Sequence, residues 1–261
     1  MIKVKDIAKV IEDFAPRNLQ ESYDNTGLQV GDPDMVVTAA LICLDVTEDV
    51  LTEAMERECN LIISHHPLIF HGIKNLTGET PVQKMIVDAI KRGLAIYSAH
   101  TNLDSTRDGV SHEIAHRLDV RDIEVLESQP LNPGFGLGVI GTVKPTPKIE
   151  FLRKIKDTFN VRALRYSAQS SSLVIRKVAI CGGSGASLIK EAIRRKADII
   201  VTGDVKYHDF TTFGNDILIA DIGHYESELC ARDILSRTIR DKYPDFTTYF
   251  SDTESNPIKI L

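Results

Sequence analysis

Two His-x3-carboxylate units, His100 with Asp104 and His224 with Glu228, each follow a short apolar run, and an adjacent His65-His66 pair follows a third. Neutral imidazole mixed with carboxylate is the donor set that hard-to-borderline divalent ions use. A carboxylate can bridge two ions, which a neutral imidazole cannot, so the pattern reads as a metal centre for two divalent cations. Such a pair, about 3.5–4 Å apart, clamps a substrate oxygen and acidifies water for hydrolysis. Softness does not choose among Zn, Fe, Mn, Co and Ni. A lone histidine near a strand end is ordinary; a His-His pair with two His-x3-acid units is a much stronger signal.

The elements that must carry these residues alternate. TAALICL (38–44) has the character of a buried strand, Thr47 opens a helix to about residue 58, and NLIIS (60–64) is the next strand, with His65 and His66 at its carboxyl end. On a pleated strand, neighbours project to different sides, so the two histidines are expected to serve neighbouring ions. Thr80-Pro81 is an N-cap with proline at the first helical position, and Gly93 is the stop before LAIYS (94–98). A Pro/Gly-rich stretch, QPLNPGFG (129–136), is the expected linker, dividing the chain into halves 1–128 and 129–261. Beyond it, strands are expected at 138–143, 161–166, KVAIC (177–181), DIIVT (198–202), DILIA (216–220) and 247–251. Helices are expected after Thr146-Pro147, over 186–196 and over 224–240. The fold class is α/β, with mainly parallel strands flanked by helices.

The halves read as copies of one unit. With Cys43 set on Cys181, ALIC (40–43) falls on VAIC (178–181), Asn60 on Asp198 and IIS (62–64) on IVT (200–202). His65 and His66 then fall on Gly203 and Asp204; with a shorter offset His100 falls on His224 and Asp104 on Glu228. A duplication of this kind places both ligand sets in a cleft between related domains, and makes His100 a ligand.

Other features carry less. His112-Glu113-Ile114-Ala115-His116 matches the H-E-x-x-H of zinc proteases. Val110, Ile114 and Leu118 form one helical stripe and the two histidines point about opposite to it, so they are expected at solvent or a subunit interface, not in a cleft. CGGSGAS (181–187) could cradle a phosphate at a helix N-terminus, or simply form a tight turn. Lys206 and His208, after DIIVTGD, could meet an anion or move a proton. A net charge of -6 without a basic patch gives no nucleic-acid signal. Cys43, Cys59, Cys181 and Cys230 form no C-x-x-C pair; no apolar window is long enough for a membrane span and no signal peptide is recognisable, so the cytoplasm is the expected address.

Together YDNTGLQVGD (23–32), SHHPLIFHG (64–72), SAHTNLD (98–104), VTGDVKYHDF (201–210) and GHYESE (223–228) resemble the family of the yeast NGG-interacting factor three. Its bacterial members are often labelled GTP cyclohydrolase I type 2 homologues or dinuclear metal centre proteins. The resemblance runs from about residue 4 to 258, with Tyr23 where the family usually has Trp. It implies two interlinked α/β domains, a toroidal homohexamer, and metal ligands at His65, His66, Asp104, His224 and Glu228. His100 then becomes a proton-transfer or supporting residue, where the repeat made it a ligand, and the segment between the halves is too short for the extra domain of longer members. The implied activity is metal-activated water opening the imidazole ring of GTP; the competing expectation is a non-catalytic, ring-shaped metal-binding or metal-handling protein acting through partners.

Overall fold

The computed structural model describes residues 1–168 and 173–261. In chain order the elements are α1 (Val4–Phe14), β1 (Gly27–Val30), β2 (Ala40–Cys43), α2 (Glu48–Glu56), β3 (Leu61–Ser64), α3 (Pro81–Arg92), β4 (Ala95–Ser98) and α4 (Thr101–Ser105). There follow α5 (Val110–Arg117), β5 (Arg121–Gln129), β6 (Asn132–Pro147), α6 (Lys148–Thr158), β7 (Arg165–Tyr166), β8 (Val174–Ser184), α7 (Ile189–Arg194) and β9 (Ile199–Gly203). The last are α8 (Tyr207–Phe213), β10 (Leu218–Asp221), α9 (His224–Glu228), α10 (Cys230–Lys242) and β11 (Thr248–Phe250). The chain forms two compact units: Met1–Thr106 with Ala231–Ser255, and Arg107–Cys230 with Asn256–Leu261.

Local chemistry explains the boundaries that position the first site. Thr47 caps α2 by accepting the Val50 N–H; Thr80 and Gln83 form a capping box on α3, Pro81 takes its first position, and Gly93 ends it at φ 68°, a left-handed geometry that glycine adopts without strain. In the first unit the strand order is β1-β4-β3-β2-β11, parallel except for β1. Leu41, Ile62 and Ile96 of this sheet pack with Val50, Leu51 and Ala54 of α2 and Ile86 and Ala89 of α3.

The second unit has the order β5-β6-β8-β9-β10-β7. β8, β9 and β10 are parallel, while β5, β6 and β7 pair antiparallel, so this sheet is mixed. The QPLNPGFG stretch is no linker: Gln129 pairs with Asn132 and Ser128 with Gly136, so it is the end of the β5–β6 hairpin. The division expected at 128/129 therefore falls inside the second unit, and the chain changes units at 106/107, 230/231 and 255/256. Proline and glycine mark a turn here rather than a domain boundary.

The register of the strands supports the duplication. Ala40 pairs with Leu61 in the first sheet, and their counterparts Val178 and Ile199 pair in the second. Among the described residues no helix is long and apolar enough to cross a membrane.

Candidate metal centre

Each unit gathers its share of the sequence-selected residues at the carboxyl ends of its parallel strands. In the first, β3 stops at Ser64, so His65 and His66 lie beyond the pleat and do not diverge to opposite faces. Their backbone N–H groups donate to the carbonyls of Cys43 and Leu44, 3.1 and 2.9 Å away, which holds them beside the end of β2. The ring centroids of His65, His66 and His100 are 5.0 to 5.4 Å apart, and ligand nitrogens of the three lie within 4.8 Å of one another.

Every one of these rings is oriented from behind. His65 is fully buried and its Nδ1 lies 2.8 Å from the Ala99 carbonyl, which can only accept, so Nδ1 carries the proton. His66 Nδ1 lies 2.9 Å from Asp45 Oδ1, and His100 Nδ1 2.9 Å from Asp24 Oδ1. Burial opposes the charge on Asp24, but hydrogen bonds from His100 and Thr101 outweigh it and hold the carboxyl down at about 2. Asp104, on the short α4 that starts after His100, brings Oδ1 to 3.7 Å from His65 Nε2.

In the second unit β10 ends at Asp221, and Gly223 at φ 89° turns the chain into α9. His224 and Glu228 are one turn apart, with Nε2 2.8 Å from Glu228 Oε2; Nδ1 is 2.7 Å from Asp204 Oδ2. Glu228 is buried against the Gly-rich strand end, where a Cβ on Gly183 would come within 2.0 Å of Glu228 Oε1. That approach gives the Gly-rich segment its purpose. The N–H groups of Gly182, Gly183 and Gly185 donate to Ser111, Ser227 and Thr202 hydroxyls, so they are committed within the unit rather than open to a phosphate. A cavity of about 390 Å³ adjoins His224 and is walled by Arg165, Asp204, Asp221, Tyr225 and Asn256 among others.

The donor chemistry fits divalent metal. Imidazoles whose Nδ1 faces an oxygen acceptor present Nε2 in the neutral, ligating form, and carboxylates stand beside them. The orienting role of the carboxylates Asp24, Asp45 and Asp204 was not legible in the sequence. All follow or precede a strand by a few residues, a weak signal that only the fold resolves. His208 is exposed on α8, edge-on to Tyr207 at 5.4 Å, and belongs to none of the clustered groups among the described residues. Lys206 serves as the N-cap position of α8, where Asp209 accepts its backbone N–H.

The sequence model of Duf34/NIF3 (NGG1p interacting factor 3) matches residues 2–257. A Clostridium perfringens protein named GTP cyclohydrolase 1 type 2 homolog is 38% identical, with all of both chains covered. A Clostridium acetobutylicum protein of the same name is 35% identical over 91% of this chain and 90% of its own. Among solved structures, Staphylococcus aureus protein SA1388 superposes with a TM-score of 0.90 at 26% identity, covering 100% of this chain and 99% of that one. Reduced HcgD from Methanocaldococcus jannaschii gives 0.83 at 28% identity over 96% and 98%.

Proposed function

Because the chain belongs to the Duf34/NIF3 (NGG1p interacting factor 3) family, we propose that it is a metal-dependent hydrolase of the GTP cyclohydrolase type. His65, His66 and Asp104 of the first unit, with His224 and Glu228 of the second, are its proposed ligands for one dinuclear divalent centre. The observation that carries this reading is the backing of each imidazole: His65, His66 and His224 all have Nδ1 on an oxygen acceptor, the arrangement that readies Nε2 for a cation. The names of the curated relatives support the reaction class.

When bound, a pair of divalent ions supplies Lewis acidity and acidifies water, which is what hydrolytic opening of a purine imidazole ring requires. The protein's own groups supply the rest. Attack at C8 needs a proton delivered to the departing ring nitrogen, and His100, held at Nδ1 by Asp24, is the proposed donor. His208, exposed on α8, is the proposed second proton carrier. Asp104 and Glu228 bring negative charge to offset that of the cations. Self-association as a homohexamer and a cytoplasmic address complete the proposal; the four buried free cysteines suit a reducing compartment.

Metal-loaded protein incubated with GTP and a nucleotide panel is expected to consume GTP with loss of the purine spectrum. His65→Ala and Glu228→Ala are expected to abolish this with circular dichroism unchanged. Stoichiometric metal binding with no turnover on any nucleotide would replace this reading with that of a metal-handling protein acting through partners.

A further inference from the structure

Packing alone does not fix the ring of His66. Its side chain is 21% exposed, and that of Asp45, which stands behind Nδ1, is 52% exposed. The orientation of the pair must therefore come from the backbone that carries Asp45. β2 ends at Cys43, so Leu44 and Asp45 lie past the ladder, where no neighbouring strand takes their N–H groups. Both donate instead to one carboxylate oxygen, Glu254 Oε1, at 2.5 and 2.8 Å. Glu254 is 209 residues further along the chain, yet it belongs to the same unit.

The Leu44 carbonyl and the Asp45 N–H are two sides of a single planar peptide group. That carbonyl accepts the His66 N–H at 2.9 Å, Glu254 holds the N–H, and Asp45 Oδ1 lies 2.9 Å from His66 Nδ1. One peptide thus links Glu254 to both the backbone and the ring of His66. Glu254 is itself anchored: its side chain is 4% exposed, and Oε2 lies 3.1 Å from Arg232 Nη1 on α10. The same Nη1 donates to the Ser251 carbonyl at 3.3 Å, and the guanidinium lies over the Phe250 ring, 5.3 Å from its centroid. Burial pushes the Glu254 carboxyl up, while the two N–H groups and Arg232 oppose that rise. We propose that Glu254, anchored by Arg232, is a positioning residue for His66, fixing the Leu44–Asp45 peptide so that Asp45 holds the imidazole with Nε2 ready for a cation.

This role rests on the reading of His66 as a metal ligand, but the hydrogen bond it secures can be followed in metal-free protein. Two variants separate the oxygen from the charge. Glu254→Gln keeps an oxygen able to accept both N–H groups and gives up the ion pair with Arg232. Glu254→Asp keeps the charge on a shorter side chain, which withdraws the oxygen from those groups. The Nδ1–H proton and ring 15N signals of His66 are expected to match wild type in Glu254→Gln. In Glu254→Asp they are expected to change as they do in Asp45→Ala, with the His65 and His100 signals unmoved. Zn2+ affinity in a chelator competition is expected to fall about tenfold in Glu254→Asp and to stay near wild type in Glu254→Gln. A merely structural role would make the signals follow Tm and move all three rings together. Unmoved His66 signals in Glu254→Asp, or His65 and His100 signals that move with them, overturn the proposal. In a protein that binds no Zn2+, a change confined to His66 would still establish Glu254 as what orients the ring, and it is the hydrolase reading that would fall.

Discussion

Asp45 and Asp204 each face the Nδ1 of a proposed ligand, His66 and His224, and their work is to fix a ring rather than to touch a cation. Removing such a carboxylate costs about 10–100-fold in metal affinity. Asp204→Ala and Asp45→Ala are expected to show that loss in a chelator competition, with the fold retained; affinity equal to wild type would mean that the rings are held by other means. Gly183 offers a sharper case. Its φ of 61° and the 2.0 Å approach to Glu228 Oε1 leave no room for a methyl group, so Gly183→Ala is expected to displace Glu228 and abolish the metal affinity it supports. The histidines could be picked out from spacing because His-His and His-x3-acid are rare coincidences. Asp45 could not, because it is one carboxylate after a strand among many, and only the parallel pairing of β2 with β3 brings it to His66.

Elements with explicit start and stop chemistry were legible: α2 and α3 begin at Thr47 and Thr80 and α3 stops at Gly93, where a sequence reader would put them. β5 was not, because RDIEVLESQ is mostly polar and lies at an edge, where only one neighbour constrains it. The expected helix over 224–240 is divided at Leu229 into α9 and α10, a break that no proline or glycine announces. One tie between elements yields a pH prediction. Glu53 on α2 is buried and accepts hydrogen bonds from Ser251 and from the backbone of Asp252 and Thr253, just past β11. Burial opposes its charge, but these bonds prevail and bring its carboxyl down to about 2, below its unfolded value. Its contribution is therefore full above roughly pH 4.5 and is lost as pH falls towards 2. Glu53→Gln is expected to destabilise the protein by on the order of 1–3 kcal/mol at neutral pH and to flatten the acid limb of a Tm-against-pH curve. An acid limb identical to wild type would assign that limb to other carboxylates.

At the scale of the whole chain, the proposed centre makes a thermodynamic demand. Ions that bind only the folded protein raise its Tm by mass action, so a strong chelator is expected to lower Tm, and re-addition of Zn2+ or Mn2+ to restore it. If His65 and Glu228 serve the same pair of ions, the loss of affinity in the double Ala variant should fall well short of the sum of the single losses. Additive losses would mean two independent sites. The duplication was legible because aligned residues keep the same partner strands, as Ala40–Leu61 and Val178–Ile199 do. The unit boundaries were not, since a linear reading assigns one continuous stretch to each half, whereas each unit takes in a second, distant stretch.

That discontinuity has a bearing on biosynthesis. The edge strand β11 beside β2, and the hydrogen-bond partners of Glu53 just beyond it, come from residues 248–253. A nascent chain leaving the ribosome therefore exposes nearly all of the second unit before the first can complete its sheet. The N-terminal unit, although made first, is finished late, and until then the outer edge of β2 stands open as a template for unwanted pairing.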